Sequence, residues 1–364
     1  MRHFVAALMS LVLISCSEFK SRVAVDQEAS LTKTSQLPDR DLKPDMNRGD
    51  SSQSPSLIGP YARRPASVSP YEIKQYIEEH QKDEFVSLAE YWNRLGIDVE
   101  EWEKYGRCEA SIFDLALGPG EGTKVMLRLY DHSGWSMGGT RYLLFKPTSA
   151  AHHTKWKLLG HVDFQDQRYE VPEHRILSSA ADHWLVVTIL AGRGSGYGLH
   201  IDIWYEIADS GMKDVLSYPT GKFLSWGDPF PVIEASSKVI SATTESDRTR
   251  VVIEFTASYV LYGGAHLNEK VGLWAKTQSA VFVRSSGQER FSLDDRESQL
   301  SNKELDAVYD GEGPSNSEIL RYNFEDLERI ATSTNEKAKE WLRSYLNECR
   351  NTGERERLLK ALAH

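Results

Sequence analysis

Residues 199–207 read LHIDIWYEI, and this stretch decides the fold class. Apolar Leu199 and Ile201 alternate with polar His200 and Asp202, which is the period of two that a β-strand imposes. Alternation of this kind is typical of a strand with one face on a core and the other toward water. We therefore predict a half-buried strand here.

The same period recurs on both sides of that stretch. Alternating segments lie at residues 125–130, 156–164 and 251–259. Residues 184–190 are apolar on both faces, which favours an interior strand. Helical patterns do not alternate with these strands, which argues against a doubly wound parallel sheet. We predict an α+β, mainly β fold, in which an antiparallel meander, sandwich or barrel-like sheet is flanked by N- and C-terminal helices.

Helical signals lie on either side of the strands. Residues 69–72 read SPYE, which combines a capping box with proline at the first helical position. Apolar residues at helical spacing return after the last strand. We predict a single globular domain over residues 69–364, helical at 69–106, β-rich at 107–290 and helical again at 291–364.

The N-terminus has the features of an export signal. Residues 1–15 read MRHFVAALMSLVLIS, with Arg2 before an apolar run that is shorter than the roughly 20 residues of a membrane span. Residues 13–16, Leu-Ile-Ser-Cys, resemble the lipobox of bacterial lipoproteins. That resemblance implies a signal peptide over residues 1–15, cleaved before Cys16, and acylation of this cysteine. The resemblance covers only these residues and implies nothing about the globular part.

The lipobox also implies a location. An acylated Cys16 would anchor an exported chain to the membrane of the cell envelope, and to the outer membrane if the cell is Gram-negative. Residues 16–68 are rich in Ser, Asp, Pro, Arg and Lys, a composition that predicts a disordered tether. The net charge of -10 argues against nucleic acid as a partner, since phosphate backbones require a basic surface.

Two further cysteines, Cys108 and Cys349, belong to the exported part. An oxidising compartment favours a disulfide between them. Two separate buried thiols are the alternative.

One motif suggests catalysis. Residues 134–139 read GWSMGG, which resembles the G-x-S-x-G nucleophile elbow of α/β-hydrolases and implies Ser136 as nucleophile. Asp163 and His266 are the candidate partners in the order that this family uses. An elbow leads from a strand into a helix, whereas residues 140–147 predict a strand. An envelope serine hydrolase therefore stays as the alternative to a non-catalytic binding protein.

Histidine and aspartate pairs suggest a metal site. His161 with Asp163, and His200 with Asp202, are each spaced i, i+2 on a predicted strand. Such pairs share a face and offer two ligands to one metal if the strands are neighbours. Solvated residues on the polar faces of the strands are the alternative interpretation, and the sequence predicts no cofactor.

A glycine-rich segment beside these residues suggests a binding surface. Residues 192–198 predict a hairpin tip, and such tips often contact partners. Trp204 falls on the face of His200 and Asp202, where it either stacks on a sugar or a partner chain or is covered by a terminal helix. The candidates for binding an envelope protein or a glycan are Arg193, Tyr197, His200, Asp202 and Trp204.

Overall fold

The computed structural model confirms a mainly β chain with antiparallel sheets and C-terminal helices. The residues that it describes all belong to one compact unit, Ser54–His364. They are 68–80, 82–83, 86–97, 104–105, 108–115, 123–131, 139–148, 155–164, 170–179, 182–245, 247–263, 269–310 and 313–363. The predicted signal peptide, Cys16 and the tether up to residue 67 lie outside these ranges. Val68, which the sequence places at the end of the tether, is buried.

The N-terminal part contains helices and a small ladder. Its elements are α1 (Pro70–Glu79), β1 (Val86–Ser87), α2 (Ala89–Leu95) and β2 (Lys104–Tyr105). Ser69 and Glu72 form the predicted capping box at the start of α1. The segment over 69–106, predicted to be helical, contains these two helices and also a short ladder, because β1 and β2 pair antiparallel.

Two antiparallel meanders follow. The first sheet has four strands in chain order: β3 (Cys108–Leu115), β4 (Lys124–Asp131), β5 (Thr140–Pro147) and β6 (Trp156–Phe164). The second has eight, also in chain order: β7 (Glu173–Ser178), β8 (His183–Gly194), β9 (Tyr197–Ala208), β10 (Gly211–Leu224), β11 (Val232–Glu245), β12 (Arg248–Gly263), β13 (Glu269–Ser285) and β14 (Ser292–Leu293). The stretches with a period of two lie on β4, β6, β9 and β12, as predicted.

Helices complete the chain. They are α3 (Asn302–Glu304), which continues as a π-helical turn (Leu305–Tyr309), then α4 (Asn316–Tyr322), α5 (Phe324–Ala331), α6 (Glu336–Glu348) and α7 (Gly353–Ala361). In the part of the chain that the structure describes, no helix is both long and apolar enough to cross a membrane.

Three apolar cores stack the elements in layers. Helices α1 and α2 cover one face of the four-stranded sheet, where Trp92 packs with Leu127 and Phe145. The other face of that sheet packs against β8 and β9. The opposite face of the eight-stranded sheet carries the C-terminal helices, with Trp204 and Leu342 in one core. Strands β8 and β9 are therefore covered on both faces.

The turn between β9 and β10 joins the two sheets. Asp209 in this turn accepts a hydrogen bond from Lys146 at 2.6 Å and pairs with Lys124 at 3.1 Å, both on the four-stranded sheet. Gly211 approaches the Leu159 carbonyl so closely that a Cβ would lie 2.9 Å from its oxygen. Its φ of 129° also requires glycine.

The predicted disulfide is wrong. Cys108 lies in the core under α1 and α2, whereas Cys349 lies in the core of the C-terminal helices. Both thiols are free and buried. Burial raises the pKa of Cys108 to about 12 and that of Cys349 to about 11.

Neither buried thiol should react in the folded chain, because the thiolate is the reactive species and burial keeps both groups protonated. We expect a Cys16→Ser chain to resist iodoacetamide in native buffer at pH 8 and to be alkylated at both cysteines in denaturant, as measured by intact mass. Rapid alkylation of the native chain, or a change of gel mobility on reduction, would contradict the assignment.

Trp204 is an interior residue, so its truncation should open a cavity. We expect Trp204→Ala to lower the free energy of unfolding by about 3–5 kcal/mol. The matched control is Trp226→Ala, because Trp226 is 41% exposed, and it should change stability far less. Urea denaturation measures both. Equal losses in the two variants would show that Trp204 is not part of the core.

Candidate functional site

A row of side chains on β9 leads from the core to an open cavity. Trp204, Asp202 and His200 are spaced i, i+2 and therefore share one face of the strand. Trp204 and Asp202 are fully buried, at 0% exposure, whereas His200 is half-buried. The prediction that this face is solvated is thus wrong for most of its length. Trp204 lies in the core with the C-terminal helices, which removes it as a binding residue.

Asp202 is buried with its charge satisfied. It accepts hydrogen bonds from Thr188 Oγ1 at 2.6 Å and from the Tyr218 hydroxyl at 2.9 Å, both directly opposite it on neighbouring strands. The Arg175 guanidinium of β7 forms an ion pair with the same carboxylate. Burial raises the pKa of Tyr218, so its hydroxyl stays a donor to Asp202. This network fixes four adjacent strands to one another.

The cavity opens where this network ends. It has a volume of about 200 Å³. Its wall is formed by Glu170, Val171, Pro172, Glu173, Thr188, Leu190, His200, Thr220 and Gly221. His200 Nε2 and Glu170 Oε2 are 2.7 Å apart, so this hydrogen bond holds the segment before β7 against β9. The bond lowers the pKa of the Glu170 carboxyl; the charge of Arg193 lowers it further, and burial opposes both.

A β-bulge places a hydroxyl in the wall. The register of β9 with β10 shifts between Pro219 and Gly221, which leaves Thr220 as the extra residue. Thr220 lines the cavity, and its Oγ1 is buried without a hydrogen-bond partner among the described residues. Proline within a strand is the sequence signal that would have found this bulge.

The hairpin tip lies beside this site. The turn between β8 and β9 falls at residues 195–196, within the predicted glycine-rich segment. Tyr197 packs so closely over Gly192 that a Cβ there would lie 2.7 Å from its ring. Arg193 is exposed and acts on Glu170 through its charge. Of the five predicted binding residues, only His200 lines the cavity.

The sequence interpretation missed Glu170 and Thr188. Glu170 precedes β7 in a segment without periodicity. Thr188 is the one polar residue in the apolar run at residues 184–190 of β8. A lone polar residue in such a run is the sequence signal that could have identified it.

The structure does not assemble the predicted metal ligands. His161 and Asp163 lie on β6 of the four-stranded sheet, whereas His200 and Asp202 lie on β9 of the other sheet. Asp163 pairs with Arg141, and burial lowers the pKa of His161. Within the described ranges, no group of three His, Cys, Asp or Glu side chains is placed to hold a metal ion.

The nucleophile-elbow motif stands in an unsuitable setting. Ser136 and His266 lie outside the described residues, and the proposed partner Asp163 binds Arg141. After the motif the chain enters β5 at Thr140, where an elbow needs a helix. Every strand pair of the described part is antiparallel, unlike the parallel sheet of that family.

No protein-family model matches the chain, and no curated protein or solved structure is similar to it.

Asp202 should be a main support of the site. We expect Asp202→Asn to lower the free energy of unfolding by about 1.5–3 kcal/mol, because the amide replaces charge-assisted hydrogen bonds with neutral ones. The control is Asp295→Asn, since Asp295 is exposed and its replacement should be nearly neutral. Urea denaturation measures the difference, and a neutral Asp202→Asn would contradict the proposed network.

Proposed function

We propose that this chain is a lipid-anchored protein of a bacterial cell envelope, with a non-catalytic binding module whose ligand site is the cavity beside β7. The lipobox-like residues 13–16 support the anchor. The observation that carries the binding assignment is the cavity itself, built on the rigid Asp202 network.

The composition of the wall favours a binding site. Small-ligand sites combine an apolar surface with a few fixed polar groups. Here Val171 and Leu190 supply apolar surface, whereas Glu170, Glu173 and His200 supply polar groups. Leu190 and His200 lie on strands β8 and β9, which the Asp202 network fixes, so little reorganisation is needed there when a ligand enters. Glu170 and Val171 lie in the segment just before β7.

Hydrogen bonding in the wall favours binding over catalysis. A hydroxyl nucleophile needs a base within hydrogen-bond reach that can take its proton. The Thr188 hydroxyl instead donates to the buried Asp202, which also accepts from Arg175 and Tyr218. His200, the other candidate base, bonds to Glu170 rather than to a hydroxyl.

The anchor supports a place at a membrane surface. One acyl chain binds a membrane only marginally, whereas the two or three chains of a lipoprotein hold it durably. A tether from Cys16 to residue 68 would let the module reach ligands away from the bilayer.

Metabolic labelling tests the anchor. The full-length chain, produced in a bacterium supplied with alkyne-labelled palmitate, should take up the label and sediment with membranes. Cys16→Ser should lose both properties. Cys108→Ala is the matched control and should keep both, because Cys108 is buried in the globular part. An unlabelled wild-type chain, or label retained in Cys16→Ser, would overturn the anchor.

A further inference from the structure

We propose that the cavity binds a protonated primary amine carried on a short aliphatic chain. This inference rests on the proposed function, since it takes the cavity as the ligand site and names the ligand class.

The charge of the wall favours a cation. Glu173 is exposed, and its carboxylate has no hydrogen bond or ion pair with another described residue. Glu170 uses Oε2 for His200, which leaves Oε1 without a hydrogen-bond donor in the described part of the chain. Arg175 compensates the charge of Asp202 beneath them. Arg193 is exposed and is not part of the wall, although its charge acts on Glu170.

The number of open acceptors fits an ammonium group. A primary ammonium has three N–H donors and no acceptor. The wall offers three oxygens that lack a donor among the described residues: Oε1 of Glu170 and the two carboxylate oxygens of Glu173. Hydrogen bonds from an ammonium to a carboxylate are charge-assisted and roughly twice as strong as neutral ones. An anionic ligand would instead face two carboxylates.

Apolar residues of the same wall suit the stem of such a ligand. Leu190 and Pro172 line the cavity, and Val171 is 37% exposed beside them. Methylene groups gain free energy on such surfaces while their charged end stays at polar groups. A volume of about 200 Å³ accommodates a straight chain of a few carbons ending in an ammonium.

Two sources supply this chemistry, a free amine and a lysine side chain of another protein. Strand β7 is the last strand of its sheet and, in the described part, pairs with β8 alone. An extended peptide added along β7 would place alternate side chains on the face of Glu173. A lysine in such a peptide would then reach the cavity.

Calorimetric titration of the mature acylated chain in detergent micelles tests the inference. The probes are butylamine, butanol, acetate and the peptide acetyl-Val-Lys-Val-amide, at neutral pH and low salt. We expect butylamine to bind at least about tenfold more tightly than butanol or acetate, because only the amine makes charge-assisted bonds. Tighter binding of the peptide by a further tenfold would assign the source to a partner's lysine, and equal or weaker binding to a free amine.

Variants localise the binding. Glu173→Gln and Glu170→Gln should each weaken butylamine binding by about tenfold, the effect of one charged hydrogen bond. Glu254→Gln, an exposed carboxylate on β12, is the matched control and should change nothing. Unfolding midpoints confirm that each variant is folded.

The outcomes separate this inference from the proposed function. Failure of butylamine to bind, or equal binding of butylamine and butanol, overturns the amine assignment. Binding of butanol or acetate that is sensitive to Glu170→Gln keeps the cavity as a ligand site for another class. Binding of butylamine that is unchanged in both glutamate variants overturns the cavity as the site. The labelling experiment decides the anchor independently.

Discussion

The covering of β8 and β9 on both faces is the constraint on which the rest of the structure depends. One face packs on the four-stranded sheet and the other under the C-terminal helices. A polar group on either face is therefore removed from water and costs free energy unless it has partners. Asp202 meets this condition through Thr188, Tyr218 and Arg175, from three different strands. The network is thus a requirement of the layered architecture as well as the floor of the cavity.

The same constraint explains where the cavity lies. Along β9, the C-terminal helices cover Trp204 and the hydrogen-bond network surrounds Asp202. His200, the next residue on this face, is partly exposed to solvent. At His200, a side chain on a strand that the core holds in place becomes accessible to solvent. The Glu170 segment, held by His200, closes one side. At the cavity, side chains are therefore both held rigidly and accessible to a ligand, as a binding site requires.

Much of the fold was predictable from local patterns. Alternation located β4, β6, β9 and β12, and the apolar run of β8 indicated an interior strand. Local patterns do not show which distant element covers a polar face. The sequence therefore left Trp204 open between an exposed position and one under a terminal helix, and it placed Asp202 on a solvated face. In the structure the C-terminal helices cover Trp204, and Asp202 is fully buried. For the same reason, two cysteines in a chain that is predicted to be exported suggested a bond, whereas layers of sheet separate them. The site was only partly predictable: His200 was named, but Glu170 has no periodic neighbours, and Thr220 enters the wall through a bulge.

The burial of Val68 determines where a pull on the preceding chain acts on the domain. Its side chain is fully buried in the core of α1, α2 and the four-stranded sheet. A pull on the chain before residue 68 therefore acts on a packed apolar contact and on the capped start of α1, rather than on a frayed end. From that sheet the load would pass to the larger one through the apolar core that the two sheets share, beside the exposed ion pairs of Asp209.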